Sequence, residues 1–120
     1  MIKFYTDIEQ SKQLAKILSL ESADMCYGID DDTLKYNNLP WLIPYHRHTA
    51  KEFYIPCWSL AALLDVFPEG VIKNYYIPNI QKENGTYSIA YGNDELLCIA
   101  DNPIDACYEM ILKLKEKNLL

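Results

Sequence analysis

Two turn motifs in the last fifty residues constrain the fold of this chain more than any other feature. Asn84-Gly85 favours a two-residue hairpin, because a type I′ turn needs positive φ at both central positions. Gly92-Asn93-Asp94 supplies a second turn a few residues later. We therefore predict a three-stranded antiparallel meander whose strands are residues 71–77, Thr86–Tyr91 and Leu96–Ala100.

A helix signal follows the meander directly. Asn102 can cap a helix, and Pro103 suits its first position because the missing N–H would have no partner there anyway. The predicted helix covers residues 104–117, and its apolar stripe consists of Ile104, Cys107, Ile111 and Leu114. The sequence thus predicts an α+β class, with the meander packed against two to three helices in a single domain of residues 1–120.

The first half of the chain gives weaker signals. Thr6 and Glu9 have capping-box spacing, which predicts a helix from about residue 7 to 20. A second helix is expected over about residues 58–67, with Ser59 as a plausible cap. Short extended pieces are expected at residues 25–27 and 53–55, the latter as an edge strand.

Composition excludes some classes of partner. The 17 acidic residues exceed the 11 basic ones and give a net charge of −6, and Arg47 is the only arginine. Binding to nucleic acid depends on Lys and Arg at phosphates, so no nucleic-acid partner is expected. The N-terminal segment turns polar by Thr6 and the apolar runs are short, so we expect no membrane association and a cytoplasmic location.

The four cysteines form no C-x-x-C pair and are predicted to be reduced, buried thiols. They are Cys26, Cys57, Cys98 and Cys107. Cys98 and Cys107 flank the predicted turn from strand to helix and could approach each other.

The most suggestive segment for a site lies between prolines in the middle of the chain. It contains both histidines and the only arginine, and loops held by a rigid scaffold commonly carry function. We predict a patch there that binds a partner protein, made of Tyr45, His46, Arg47, His48, Lys51 and Tyr54. No catalytic residue and no cofactor is predicted.

Two alternatives remain open. His46 and His48 could bind zinc with Cys57 or Cys26 in a metal-dependent hydrolase or nuclease, although the usual ligand-pair spacings are missing. A nearby helix N-terminus could also lower the pKa of Cys57 for a dyad with His48. The second alternative is a structural homo-oligomer, for example a homodimer paired through an exposed strand of the meander.

The order of these elements resembles small proteins of phages and mobile elements, the phage α-β-α sandwich type of domain. The resemblance is carried by residues 58–64 (WSLAALL), 87–91, 101–103 and 106–107, with further likeness at 22–28 and 39–44. It implies a fold, a mobile-element origin and therefore a bacterial host cell, and it carries no functional residues over to this chain. The function expected from all these features is that of a non-enzymatic accessory protein that acts by protein–protein contact.

Overall fold

A computed structural model describes residues 3–28, 35, 39–41, 54–69, 78–92 and 96–120. The helices in these ranges are α1 (Ile8–Leu14), α2 (Leu60–Val66) and α3 (Pro103–Glu116), with a 3₁₀ turn at Leu20–Ser22. The strands are β1 (Met25–Gly28), β2 (Tyr54–Cys57), β3 (Asn79–Glu83), β4 (Thr86–Tyr91) and β5 (Leu96–Ala100). This is an α+β protein with a three-stranded antiparallel sheet, as its sequence predicts, and it also has a two-stranded antiparallel sheet that the sequence does not predict.

The chain divides into two compact units. One comprises residues 1–4 and 63–120, and the other comprises residues 5–62. The boundary falls inside α2, so this helix contributes residues to both units.

The larger sheet has the order β3-β4-β5 and lies in the first unit. Asn84 and Gly85 have φ values of 52° and 79° and form the predicted two-residue turn. The prediction of residues 71–77 as the first strand is wrong, because the strand paired with β4 is β3. A two-residue turn pairs Glu83 directly with Thr86, so the partner strand must run up to the turn itself. Residues 71–77 lie outside the described residues.

Helix α3 confirms its prediction to within a residue at each end. The Asn102 side chain accepts a hydrogen bond from the Asp105 N–H at 2.8 Å, and Pro103 occupies the first turn. Its buried face packs against β4 and β5. That face consists of Ile104, Ala106, Cys107, Met110, Ile111 and Leu114.

The second unit is built around β1 and β2. Both polar backbone groups of Cys26 bond to Trp41, at 3.0 and 2.7 Å, so they point away from β2. Pro56 faces Cys26 across the β1–β2 pair and therefore has no N–H to supply there. This explains how a proline fits into a strand that the sequence predicts only as residues 53–55.

The start predicted for the first helix is wrong by one residue. Asp7, rather than Thr6, caps α1, and its capping box is completed by Gln10 rather than Glu9. Thr6 does not cap the helix, because its side chain is buried and its N–H bonds to the carbonyl of Trp58 at 3.0 Å.

The predicted end of this helix at residue 20 is also wrong. The Lys16 and Ile17 amides bond three residues back instead of four, which tightens the chain into a turn after Leu14. The Ser19 side chain then caps the 3₁₀ turn.

Helix α2 is shorter than predicted. The hydroxyl of Ser59 accepts a hydrogen bond from the Ala62 N–H at 3.2 Å, which confirms the residue as the cap of this helix. Among the described helices, none combines the length and the apolar character needed to cross a bilayer.

Candidate functional site

Three residues on one face of the small sheet form what we call the aromatic platform: Gly28, Trp41 and Tyr54. Gly28 and Tyr54 are register partners across β1 and β2, so they lie on the same face. Trp41 joins this face through its backbone bridge to Cys26, two residues before Gly28. The platform therefore unites residues from three separate parts of the sequence.

The indole of Trp41 lies directly over the backbone of Gly28. A Cβ atom at position 28 would come within 3.1 Å of the ring atom Cη2, so only glycine permits this approach without a shift. The Trp41 and Tyr54 ring centroids are 6.0 Å apart and the rings are tilted by 60°. Despite these contacts Trp41 stays 41% exposed, and nearby in sequence Leu39 is 69% exposed.

Of the predicted partner-binding residues, Tyr54 is the one that the structure describes. It is half-buried at the start of β2 and belongs to the platform. The predicted residues Tyr45, His46, Arg47, His48 and Lys51 lie outside the described residues. Because Trp41 and Tyr54 directly flank residues 42–53, the chain enters and leaves that segment at neighbouring points of the platform.

Sequence reasoning missed Gly28 and Trp41 as members of a site. A tryptophan between two prolines (Pro40 and Pro44) was the available signal, but its bridge to Cys26 joins positions far apart in the chain. No local pattern reports such a contact.

The opposite face of the small sheet holds a buried polar network around Thr6. Its hydroxyl bonds to the Ser11 hydroxyl at 2.8 Å and to the Trp58 N–H at 3.2 Å, and its carbonyl accepts from the Tyr27 hydroxyl at 2.8 Å. The thiol of Cys57 contacts the Thr6 carbonyl at 3.4 Å. Every polar group in this network has a partner, so it fixes α1 against β1 and β2.

Cys57 in this network is not an activated nucleophile. Burial raises the pKa of its thiol to about 11, outweighing the hydrogen bonds from Thr6, Ser11 and Tyr27 that lower it. The expectation that the N-terminus of α2 lowers this pKa is therefore wrong, because desolvation dominates. The thiol is protonated at neutral pH.

The zinc alternative takes either Cys57 or Cys26 as its cysteine ligand, and these two thiols lie on opposite faces of the small sheet. Met25 pairs with Cys57 across the β1–β2 register, so Cys57 shares the face of Met25, and Cys26 points to the other face. A single ion cannot bind both thiols across the sheet. Among the described residues, no group of three or more His, Cys, Asp or Glu could hold a metal ion. Both histidines lie outside those residues.

Both oxygens of the Asp24 carboxylate are hydrogen-bonded to Ser59. One accepts from the Ser59 N–H at 2.9 Å, and the other accepts from the Ser59 hydroxyl. These bonds place a negative charge at the start of α2, where the helix dipole is positive. The carboxylate thus anchors α2 rather than activating Ser59 for attack, since the Ser59 oxygen is itself engaged by the Ala62 N–H.

A shallow depression of about 360 Å³ lies beside α1 and is lined by Asp7, Ile8, Glu9 and Tyr27. Its two carboxylates belong to the solvated first turn of a short helix and form no catalytic arrangement with the other lining residues. Comparison with protein-family models, with curated proteins and with solved structures found no match.

Proposed function

We propose that this protein is a non-enzymatic accessory protein of a phage or mobile element, and that it binds a partner protein through the aromatic platform. The observation that carries the proposal is the position of Trp41, which is held in place over Gly28 and remains 41% exposed. Tryptophan and tyrosine are enriched at the energetic centres of protein interfaces. The origin from a mobile element rests on the resemblance of the sequence alone.

The charge of the chain supports a protein partner over a nucleic acid. Stacking of bases on aromatic rings would also use an exposed Trp–Tyr pair. Such binding needs positive charge along the backbone path, however, and this chain has a net charge of −6. We therefore assign the platform to binding a protein rather than a nucleic acid.

The proposal is tested by quantitative affinity capture from a bacterial host lysate, with the bound protein identified by mass spectrometry. Trp41→Ala and Tyr54→Ala should each reduce capture of the same protein, the first by about thirtyfold if the anchor is worth roughly 2 kcal/mol. Ile99→Ser is the matched control, because Ile99 is 60% exposed in the other unit and lies outside the platform. Equal capture by all four proteins contradicts the proposal.

A charge variant tests the neighbouring predicted residues separately. If the predicted residue Arg47 contacts the partner, Arg47→Glu should weaken capture while leaving the midpoint of thermal unfolding nearly unchanged. Capture at the wild-type level would restrict the interface to the platform and remove the predicted basic segment from it.

A homodimer is the second candidate, and the exposure of β3 favours it. All five residues of this strand are exposed, and β3 lies at the edge of the described sheet. An exposed edge can pair with a second copy of itself. Light scattering after size exclusion tests this candidate, because a monomer mass at every concentration excludes the homodimer.

A further inference from the structure

We propose that Cys98 and Cys107 form a reversible disulfide that links β5 to α3, so that the packing of this helix on the sheet responds to thiol oxidants. The inference is independent of the proposed function, because both residues lie in the unit of residues 63–120 and the platform does not.

The two thiols share one interface. Cys98 pairs with Ile89 across β4 and β5, so both side chains point to the same face of the sheet. That face is the covered one, since Cys98 and Ile89 are buried and the next residue, Ile99, is exposed. Cys107 lies on the buried face of α3, which packs against β4 and β5.

The number of residues between each cysteine and the strand-to-helix connection places the two thiols at a similar depth in this interface. The strand continues two residues past Cys98 to its end at Ala100, which is about 6.6 Å at 3.3 Å per residue. The helix begins at Pro103, four residues before Cys107, which is about 6 Å at 1.5 Å per residue.

The helix runs back along the strand, so these two depths can be compared directly. Near its far end, the Lys113 ammonium donates to the carbonyl of Leu97 at 3.0 Å. Burial raises the pKa of Cys107 to about 12, and the negative charge of an ionised Cys98 contributes to that rise, as expected for neighbouring thiols.

The remaining cysteines provide an internal comparison. Cys26 and Cys57 are equally buried, but they point to opposite faces of the β1–β2 sheet. A disulfide needs its two Cα atoms within about 7 Å and side chains directed toward each other. Cys98 and Cys107 lie on the two surfaces that pack together between β5 and α3, whereas Cys26 and Cys57 lie on opposite faces of one sheet.

The chemistry is thiol–disulfide exchange with a small-molecule disulfide such as oxidised glutathione. Cys98 is the less buried of the two thiols, at 8% exposed against 1% for Cys107. Burial raises the pKa of both thiols, so the exchange is run at alkaline pH, where thiolate forms. The Cys98 thiolate attacks the glutathione disulfide, and one glutathione leaves as its thiolate. The second cysteine then attacks the mixed disulfide and releases the other. The protein loses two hydrogen atoms in total, and the oxidant is reduced to two thiols.

The test treats the full chain with oxidised glutathione, alkylates the remaining thiols after unfolding, and measures the intact mass. We expect two alkyl groups and the loss of two hydrogen atoms. Cleavage before aspartate then separates residues 94–100 from 105–120 unless a disulfide joins them. The joined fragments should be present before addition of reductant and absent afterwards.

Three results would overturn the inference: four alkylated thiols, a stable glutathione adduct, or a link that involves Cys26 or Cys57. Because this assay uses the unmodified sequence, it does not depend on whether a variant folds.

Two variants provide a separate check. Cys26→Ser should retain the linked fragments, and Cys98→Ser should lose them.

Discussion

At the residue scale, the clearest lesson comes from Thr6. Its spacing to Glu9 is typical of a helix cap, but its hydroxyl bonds to Ser11 and the Trp58 N–H inside the second unit. Asp7 caps α1 in its place. If Thr6 capped the helix instead, a buried hydrogen-bond donor of this network would lose its partner. Leaving a buried donor unpaired costs more than giving up a helix cap that a neighbouring residue can supply.

Gly28→Ala tests the contact that holds the indole of Trp41. The new Cβ would lie 3.1 Å from that ring, so the ring must move outward. Because Trp58 is fully buried and Trp41 is exposed, acrylamide quenching of fluorescence reports mainly on Trp41, and we expect stronger quenching. Gly85→Ala is the control: it strains a residue with a φ of 79° in the other unit and lowers stability, but its Cβ meets no atom within 4 Å, so quenching should stay unchanged. Unchanged quenching in Gly28→Ala would contradict the packing described above.

The buried thiols predict how stability depends on pH. Burial raises the pKa of Cys57 from 9.0 to about 11 and that of Cys107 from 9.0 to about 12. At a pH between the ordinary pKa of a thiol and its raised pKa in the folded protein, the unfolded chain has released a proton that the folded chain retains. The free energy of unfolding therefore falls as pH rises through this range. The stabilisation is fully present below about pH 9 and is lost as pH rises through the pKa values of the folded protein. Urea unfolding across this range measures it, and a flat profile would contradict it.

At the element scale, helices in this protein are positioned by side chains at their first turns. Asn102 fixes α3 through the Asp105 N–H, and the Asp105 carboxylate in turn accepts from Lys3 at 2.8 Å. The start of α2 is fixed by Ser59 and Asp24 in the same way. Short helices need such contacts because few intrahelical bonds support them.

Asp24→Ala should destabilise the protein through α2. The substitution removes both acceptors of Ser59 and leaves its partly buried N–H without this partner, at a cost of about 1–3 kcal/mol. Asp65→Ala is the control, because Asp65 is an exposed carboxylate on the same helix. Urea denaturation of both variants measures the difference, and equal midpoints would remove Asp24 as the anchor of α2.

At the scale of the whole molecule, the question is whether the two units unfold together. The sequence predicts a single domain, and α2 contributes residues to both units. Loss of either unit would therefore remove support from part of the same helix. We expect one cooperative transition, as small single domains usually show.

Two probes test this expectation independently. Fluorescence of Trp41 and Trp58 reports on residues 5–62, and pulsed alkylation of Cys98 and Cys107 reports on the other unit. The two signals should change at the same urea concentration. Two separate midpoints would show that the units unfold independently.

Local sequence by itself determined the features that depend on neighbouring residues. The turn at Asn84-Gly85, the cap and length of α3 and the α+β class all follow from signals within a few positions of each other. The burial of all four cysteines follows from their apolar character. These predictions are confirmed because no distant group competes for the same backbone atoms.

Only the tertiary structure decided the features that join distant positions. Three such features connect residues at least 13 positions apart: the pairing of β1 with β2, the packing of Trp41 over Gly28, and the hydrogen bonds between Asp24 and Ser59. Tyr54 was predicted as a site residue, but its partner in the platform was not. The physical reason is that periodicity and capping patterns report short-range backbone preferences. Contacts across a sheet depend instead on which distant chain segments bury each other's surface.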